Sequence, residues 1–136
     1  MNIYLCCSKH FYHNIQPVKE KLEQQGHSVI LPNSHDRPFR EEEMKQISPE
    51  AHREWKAARL WEQNAKVQAS DALLVLNFEK NGQENYIGGA TFLEIFKAFE
   101  FGKKIFLYNP IPKSVFTDEL KAMSPVVVNG DLLKIR

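Results

Sequence analysis

The chain has 136 residues and a formal net charge of +1, and 43% of its residues are hydrophobic and 26% charged. This length suits one domain, so we expect residues 1–136 to form a single unit with one core. The ordinary composition excludes collagen-like, disordered and disulfide-scaffold proteins, and the lack of a dense basic stripe argues against nucleic-acid binding.

Three features bear on where the protein works. No apolar run approaches the roughly 20 residues of a membrane span, and the N-terminal residues show no signal-type pattern. The only two cysteines, Cys6 and Cys7, are adjacent, which suits neither a structural disulfide nor a zinc site. We therefore expect a reduced, cytoplasmic protein with no membrane partner, no metal ion and no cofactor.

The first half of the chain alternates short apolar runs with a helical stripe. Asn2–Cys6 predicts a strand, and the three- and four-residue spacing of apolar residues predicts a helix within Asn14–Gly26. Ser28–Leu31 is typical of a second strand. The charged, aperiodic stretch Pro32–Ser48 predicts a long loop, of the kind that forms a lid or a binding segment or is disordered.

The second half opens with a helix start at Ser48-Pro49-Glu50. Ala72–Asn77 is apolar over most of its length, which is typical of a central strand covered on both faces. The inner face of the helix that starts at Ser48 is predicted from spacing to carry Trp55, Ala58, Trp61 and Ala65. The remaining predicted elements are the helices Thr91–Phe101 and Ser114–Met123 and the strands Lys104–Tyr108 and Val126–Val128.

The alternation of five strands with four helices predicts an α/β fold with parallel strands and right-handed crossovers. Ligands of such folds bind beyond the carboxyl ends of the strands. The predicted site therefore lies among the loops that follow Cys6, Leu31, Asn77, Tyr108 and Val128.

Two glycines precede the third predicted helix. They let the backbone approach a ligand, and free N–H groups there attract anions, so Gly88, Gly89 and Thr91 are expected to bind substrate. Glu94 lies in the first turn, where the dipole favours its charged form, and a carboxylate beside a cavity can attack a sugar carbon. The Thr91–Glu94 spacing also fits a capping box, in which Glu94 binds the Thr91 backbone N–H. The spacing leaves both interpretations open.

For other polar residues near the predicted site, the sequence allows both a structural role and a functional role. Asp71 either caps the preceding helix or contacts a ribose hydroxyl or positions a base, and Tyr4 is either a core aromatic residue or orients the glutamate. Lys9 is either a solvated surface residue or a phosphate contact. The other two expected substrate contacts are Ser8 and Asn77.

Several short segments, taken in order, resemble the nucleoside 2-deoxyribosyltransferase superfamily, which includes 2′-deoxynucleoside 5′-phosphate N-hydrolases. The resemblance implies a flavodoxin-like or Rossmann-like three-layer sandwich with a five-stranded parallel sheet, and it also implies a homodimer or higher homo-oligomer. The segments are Ile3-Tyr4-Leu5-Cys6 with Ser8, Gly26-His27-Ser28-Val29, Ser70-Asp71-Ala72, Gly89-Ala90-Thr91-Phe92-Leu93-Glu94 and Gly102-Lys103-Lys104-Ile105.

The same resemblance implies roles for individual residues. Glu94 matches the family's nucleophilic glutamate, and Tyr4 matches the tyrosine that orients it. Asp71 matches the acid at the start of the third strand, and Ser8 matches a hydroxyl near the sugar or its 5′-phosphate. The sequence departs from the family where the transferases carry an aspartate six residues before the glutamate, because that position here is Gly88.

The sequence thus supports three hypotheses. The first is an N-glycoside hydrolase or deoxyribosyltransferase that acts on a nucleoside or nucleotide through Glu94. The alternative is a non-catalytic domain of the same fold that binds a nucleotide or phosphosugar through Gly88, Gly89 and the Thr91 helix start. The third is an interaction protein whose Trp55 and Trp61 helix packs a dimer.

Overall fold

The computed structural model describes residues 1–136 and contains one five-stranded sheet with the order β2-β1-β3-β4-β5. Every neighbouring pair of strands is parallel, which confirms the predicted α/β fold. The strands are β1 (Asn2–Cys6), β2 (Ser28–Ile30), β3 (Ala72–Val75), β4 (Lys104–Leu107) and β5 (Val126–Val127). The α-helices are α1 (Ile15–Gln24), α2 (Arg40–Ile47), α3 (Pro49–Ala69), α4 (Gly89–Glu100) and α5 (Thr117–Ala122). Two short 3-10 helices complete the chain, at Lys9–Asn14 and Leu132–Lys134.

The strand order reverses at β1, which lies between β2 and β3. Tyr4 on β1 pairs with Ile30 on one side and with Leu73 on the other. In doubly wound sheets a crevice opens at such a reversal, beyond the carboxyl ends of the strands. The loops that follow β1, β2 and β3 therefore surround one crevice.

The two faces of the sheet carry separate apolar clusters because side chains alternate along a strand. Ile3 and Leu5 belong to the cluster beneath α1 and the C-terminal 3-10 helix. Tyr4 and Cys6 face the other way and pack in the cluster with residues of α3, α4 and α5. Tyr4 is thereby placed on the same face of the sheet as α3 and α4.

The stretch Pro32–Ser48 is not the continuous loop that aperiodicity predicted, because Arg40–Ile47 forms α2. None of its residues is buried, so the helix shows no apolar periodicity to detect. Its acidic first turn, Glu41–Glu43, suits the positive end of the helix dipole. Ion pairs rather than apolar burial hold it against the rest of the protein.

Helix α3 begins as predicted, because the Ser48 side chain accepts the Ala51 N–H at 3.0 Å. Its predicted inner face is wrong in three of its four residues, since only Trp55 lies on the cavity side. Trp61 is 75% exposed, and Ala58 and Ala65 are also exposed, while Val67 is the only fully buried residue of the helix. The inward face is largely polar because a cavity lies beneath much of it.

No helix of the protein is both long enough and apolar enough to cross a membrane. Large apolar side chains are nevertheless exposed along α3 and α4, among them Trp61, Leu93, Phe96 and Phe99. Exposed apolar surface of this kind is a feature of association sites. The homo-oligomer implied by the sequence remains a prediction.

Candidate active site

A cavity of about 260 Å³ opens at the crevice beyond β1 and β3. Its walls come from the loops after β1, β2 and β3, from the cavity side of α3 and from the first turns of α4. The predicted site residues that line it are Tyr4, Ser8, Lys9, Gly88, Gly89, Thr91 and Glu94. The tertiary structure thus brings seven of the nine candidates together.

The start of α4 shows that Glu94 does not form the capping box that its spacing allowed. The helix begins at Gly89 with Gly88 as N-cap, two residues earlier than predicted, so Thr91 is already inside it. The first helical bond runs from the Phe92 N–H to the Gly88 carbonyl oxygen at 2.9 Å. The N–H groups of Gly89, Ala90 and Thr91 have no partner within the helix, and these three residues line the cavity.

Glu94 lies on the buried stripe of α4, with Thr91, Ile95 and Ala98. The side chain is 5% exposed, and its Oε2 atom has no hydrogen-bond partner. Burial raises the pKa of Glu94 to about 8, and the Tyr4 hydroxyl and the Lys66 ammonium group oppose part of this shift. The structure therefore holds a carboxyl group with one unpaired oxygen at the floor of the cavity.

The pH dependence of folding stability tests the raised pKa of Glu94 without any substrate. The pKa of Glu94 rises in the folded state from its usual 4.5, so the folded protein keeps a proton that the unfolded chain releases. The wild-type protein consequently loses stability as the pH rises from 4.5 towards 8. Glu94→Gln, which stays neutral, is expected to raise the melting temperature by about 5 °C or more at pH 9 and to have little effect at pH 4.5.

Thermal unfolding followed by circular dichroism across this pH range checks the prediction. Glu100→Gln is the matched control, because Glu100 lies on the same helix, is partly exposed and pairs with Lys97 at 3.0 Å. A melting-temperature difference for Glu94→Gln that is equal at both pH values contradicts the raised pKa.

The titratable neighbours of Glu94 on β1 and just after it are held in their neutral forms. Burial raises the pKa of the Tyr4 hydroxyl far above its usual range, and the Glu94 charge adds to that shift. Burial likewise raises the pKa of Cys6 well above its usual value and that of Cys7 to about 12, with Glu94 as the second cause in each. The two cysteines are therefore thiols at neutral pH and poor nucleophiles.

One end of the cavity is rich in cations. Lys9 and Lys80 line the wall with His10, whose pKa is lowered by burial and by these two ammonium groups. The Lys80 ammonium group lies 4.4 Å from the centre of the Tyr86 ring, and a Cβ on Gly88 would meet the Tyr86 hydroxyl at 3.1 Å. Lys80 and the start of α4 are thus neighbours through Tyr86, at one end of the cavity.

Carboxylates of α2 neutralise part of this charge at the cavity mouth. Glu42 pairs with Lys9, and Glu41 contacts His52 at 2.8 Å and Lys56 at 3.4 Å. An anionic ligand that enters the cavity would compete with these carboxylates for the lysines.

Two predicted site residues are corrected by the structure. Asp71 precedes β3 and therefore lies at the amino edge of the sheet, where its Oδ2 accepts the Asn2 N–H at 2.7 Å. It does not line the cavity, because the two ends of a strand lie at opposite edges. Asn77 is fully buried, and its amide is occupied by the Asn109 N–H and the carbonyl oxygens of Asn109 and Pro110. It fixes the loop after β4.

Ser8 keeps a place in the cavity wall, but its side chain accepts the His10 N–H at 3.4 Å and so also begins the first 3-10 helix. Further lining residues were not among the predicted site residues, and most of them are polar residues of α2, α3 and the surrounding loops. They include His10, Tyr12, Arg37, Glu41, Trp55, Lys56, Arg59, Gln63, Lys80 and Tyr86. The sequence signal that could have identified the α3 residues is the spacing of polar residues along this helix, at intervals of three and four positions.

No protein-family model matches the chain, and no curated protein is significantly similar to it in sequence. Among solved structures, the CMP N-glycosidase BcmB from Clostridium botulinum is similar to the chain with a TM-score of 0.55. The similarity covers 95% of this chain and 90% of that one, at 17% sequence identity. The two proteins therefore share an α/β fold.

Proposed function

We propose that the protein is an N-glycosidase that releases the base from a nucleoside 5′-monophosphate, with Glu94 as the nucleophile. The observation that carries this proposal is the buried Glu94 carboxyl group at the cavity floor, with an Oε2 that has no partner. A buried oxygen without a hydrogen bond is costly to stability, and such exceptions concentrate at functional sites. The shared fold with a CMP N-glycosidase supports the same assignment.

The proposed reaction has two steps. A Glu94 oxygen forms a bond to the anomeric carbon while the carbon–nitrogen bond to the base breaks, and the electron pair leaves with the base, which takes up a proton. Water then attacks the resulting glycosyl ester, releases the sugar phosphate and restores the carboxyl group. A nucleophilic base in place of this water would give the transferase reaction.

The role of Tyr4 in this scheme is to position Glu94. Its hydroxyl interacts with the carboxyl group and lowers the pKa of Glu94, against the larger effect of burial. Positive charge that develops on the sugar ring in the transition state favours the ionised carboxylate in the same way. Both effects bring Glu94 towards the form that can attack.

The direct test is to incubate the protein with the nucleoside 5′-monophosphates and 2′-deoxynucleoside 5′-monophosphates and to measure the free base chromatographically. We expect release that depends on Glu94. Binding of a nucleotide without any release would instead favour the non-catalytic nucleotide-binding or phosphosugar-binding domain.

The cation-rich end of the cavity is proposed to hold the 5′-phosphate, with Lys9, Lys80 and the free N–H groups of Gly89 and Thr91 as donors. The double variant Lys9→Gln/Lys80→Gln is expected to raise KM for a nucleoside monophosphate by about 10- to 100-fold. The KM for the unphosphorylated nucleoside should change little. Steady-state kinetics on both substrates measure this difference.

Lys21→Gln is the control for this variant, because Lys21 is exposed on α1, which packs on the other face of the sheet. An equal rise in KM for nucleotide and nucleoside would contradict the phosphate assignment.

A further inference from the structure

Two N–H groups on the cavity side of α3 are buried and have no hydrogen-bond partner. They are Nε1 of Trp55 and Nε of Arg59, and both residues line the cavity. The two positions are one helical turn apart, so their side chains are neighbours on one face of α3. With Glu94, three of the four buried unpartnered side-chain atoms in the protein belong to residues of this one cavity.

Arg59 is held in place by its other groups. Its guanidinium carbon lies 5.4 Å from the centre of the Trp55 ring, and its Nη2 pairs with Glu62. The Arg59 carbonyl oxygen accepts a hydrogen bond from Asn33 Nδ2 at 3.4 Å, which ties α3 to the loop after β2. These contacts fix the guanidinium group but give its Nε–H no acceptor. A buried N–H group without an acceptor lowers folding stability.

The contacts of other α3 residues show where Trp55 and Arg59 lie relative to the Glu94 carboxyl group. One turn before Arg59, Lys56 contacts Glu41 at the cavity mouth. Further along the helix, Lys66 donates to the Leu31 carbonyl oxygen at 2.7 Å and is close enough to Glu94 to lower its pKa. Arg59 therefore lies between the mouth and the level of Glu94.

A different part of the cavity lining is already assigned to the phosphate. It carries Lys80, Tyr86 and the start of α4, whereas Trp55 and Arg59 belong to α3. In a nucleotide the base and the 5′-phosphate extend from different carbons of the sugar. With the phosphate at the start of α4 and the anomeric carbon at Glu94, the α3 side of the cavity is left for the base.

We propose that Trp55 and Arg59 form the subsite for the leaving base and select a base with two neighbouring acceptor atoms on one edge. This inference rests on the proposed N-glycosidase function. O2 and N3 of cytosine form such an edge, and so do O6 and N7 of guanine, whereas uracil and adenine interrupt the corresponding edges with an N–H donor. As the carbon–nitrogen bond breaks, its electron pair moves onto the base and the negative charge spreads to these acceptors, where the two N–H groups stabilise it. Water then protonates the released base.

The experiment compares conservative variants of the pair. Trp55→Phe keeps an aromatic ring for Arg59 and removes only the indole N–H, and Arg59→Lys keeps the charge and removes Nε–H. Each is expected to lower kcat/KM for base release from CMP or GMP by about tenfold and to reduce the preference for these nucleotides over UMP and AMP. Parallel assays on CMP and GMP show which acceptor edge the subsite takes.

A second substrate separates a role in base departure from a general loss of structure. The 4-nitrophenyl glycoside of ribose 5-phosphate has a good leaving group whose only paired acceptors, the nitro oxygens, lie at the far end of the ring and not at the edges that cytosine or guanine presents, so both variants should cleave it at nearly the wild-type rate. Trp61→Phe is the matched control, because Trp61 lies on the same helix and is 75% exposed.

The outcomes distinguish the inference from the function on which it rests. Unchanged kcat/KM and unchanged base preference in both variants, with an active wild type, overturn the base subsite and leave the N-glycosidase intact. Equal losses on the nucleotide and on the nitrophenyl glycoside also overturn it. A wild type that releases base from no nucleotide overturns the proposed function itself.

Discussion

Replacing Glu94 with glutamine is expected to slow base release by about a thousandfold or more, because an amide oxygen cannot form the glycosyl ester that the proposed mechanism requires. The substitution keeps the shape of the side chain and removes the group whose burial raises its pKa. The folded structure should therefore persist, and nucleotide affinity should change far less than kcat. Initial rates of base release and calorimetric binding of the nucleotide measure the two effects.

The control for this experiment is Glu100→Gln, which alters an exposed glutamate of the same helix and should keep wild-type rates. Glu94→Asp is a useful second variant, since it retains a carboxylate but withdraws it by one methylene group. Base release that continues at the wild-type rate in Glu94→Gln rules out Glu94 as the nucleophile.

The pH dependence of kcat/KM is expected to be steep on the acid side. Since burial raises the pKa of Glu94 to about 8, only a fraction of the free protein carries the ionised nucleophile at pH 7. The rate constant should rise about tenfold per pH unit up to pH 8 and then level off, so pH 5 and pH 8 differ by about a thousandfold. The substrate phosphate also ionises near pH 6. A second profile measured with an unphosphorylated nucleoside excludes that contribution.

The neighbours of Glu94 allow this profile to be assigned. Lys66 on α3 lowers the pKa of Glu94, so Lys66→Met is expected to move the inflection to higher pH. Tyr4 and Cys6 on β1 and Cys7 after it interact with the Glu94 charge, and burial raises the pKa of each too far for it to ionise in this range. A profile that falls above pH 8 instead of rising towards it would make Glu94 a general acid rather than a nucleophile.

Much of the fold follows from local sequence patterns. Apolar runs such as Asn2–Cys6 and Ala72–Val75 could be recognised as strands because a central strand is apolar on both faces. The Ser48 cap and the stop at Gly102 were equally visible, because capping and positive φ angles are properties of a few adjacent residues. Helix α2 was missed because its contacts are ion pairs with distant residues.

The candidate site could be predicted only in part. Gly88, Gly89, Thr91 and Glu94 were found because the carboxyl ends of parallel strands meet at one edge and helix starts follow them. Asp71 was misplaced because a residue just before a strand lies at the other edge.

Local sequence patterns were enough to predict the order of every strand and helix except α2, the parallel sheet, and a carboxylate near a glycine-rich helix start. Packing between distant elements was needed to show that Glu94 lines a cavity with an unpaired oxygen, and that α3 turns Trp55 and Arg59 inward while Trp61 stays outside. The physical reason is that spacing along a helix fixes which residues share a face. What that face meets depends on elements far away in the chain, and here it meets a cavity instead of an apolar core.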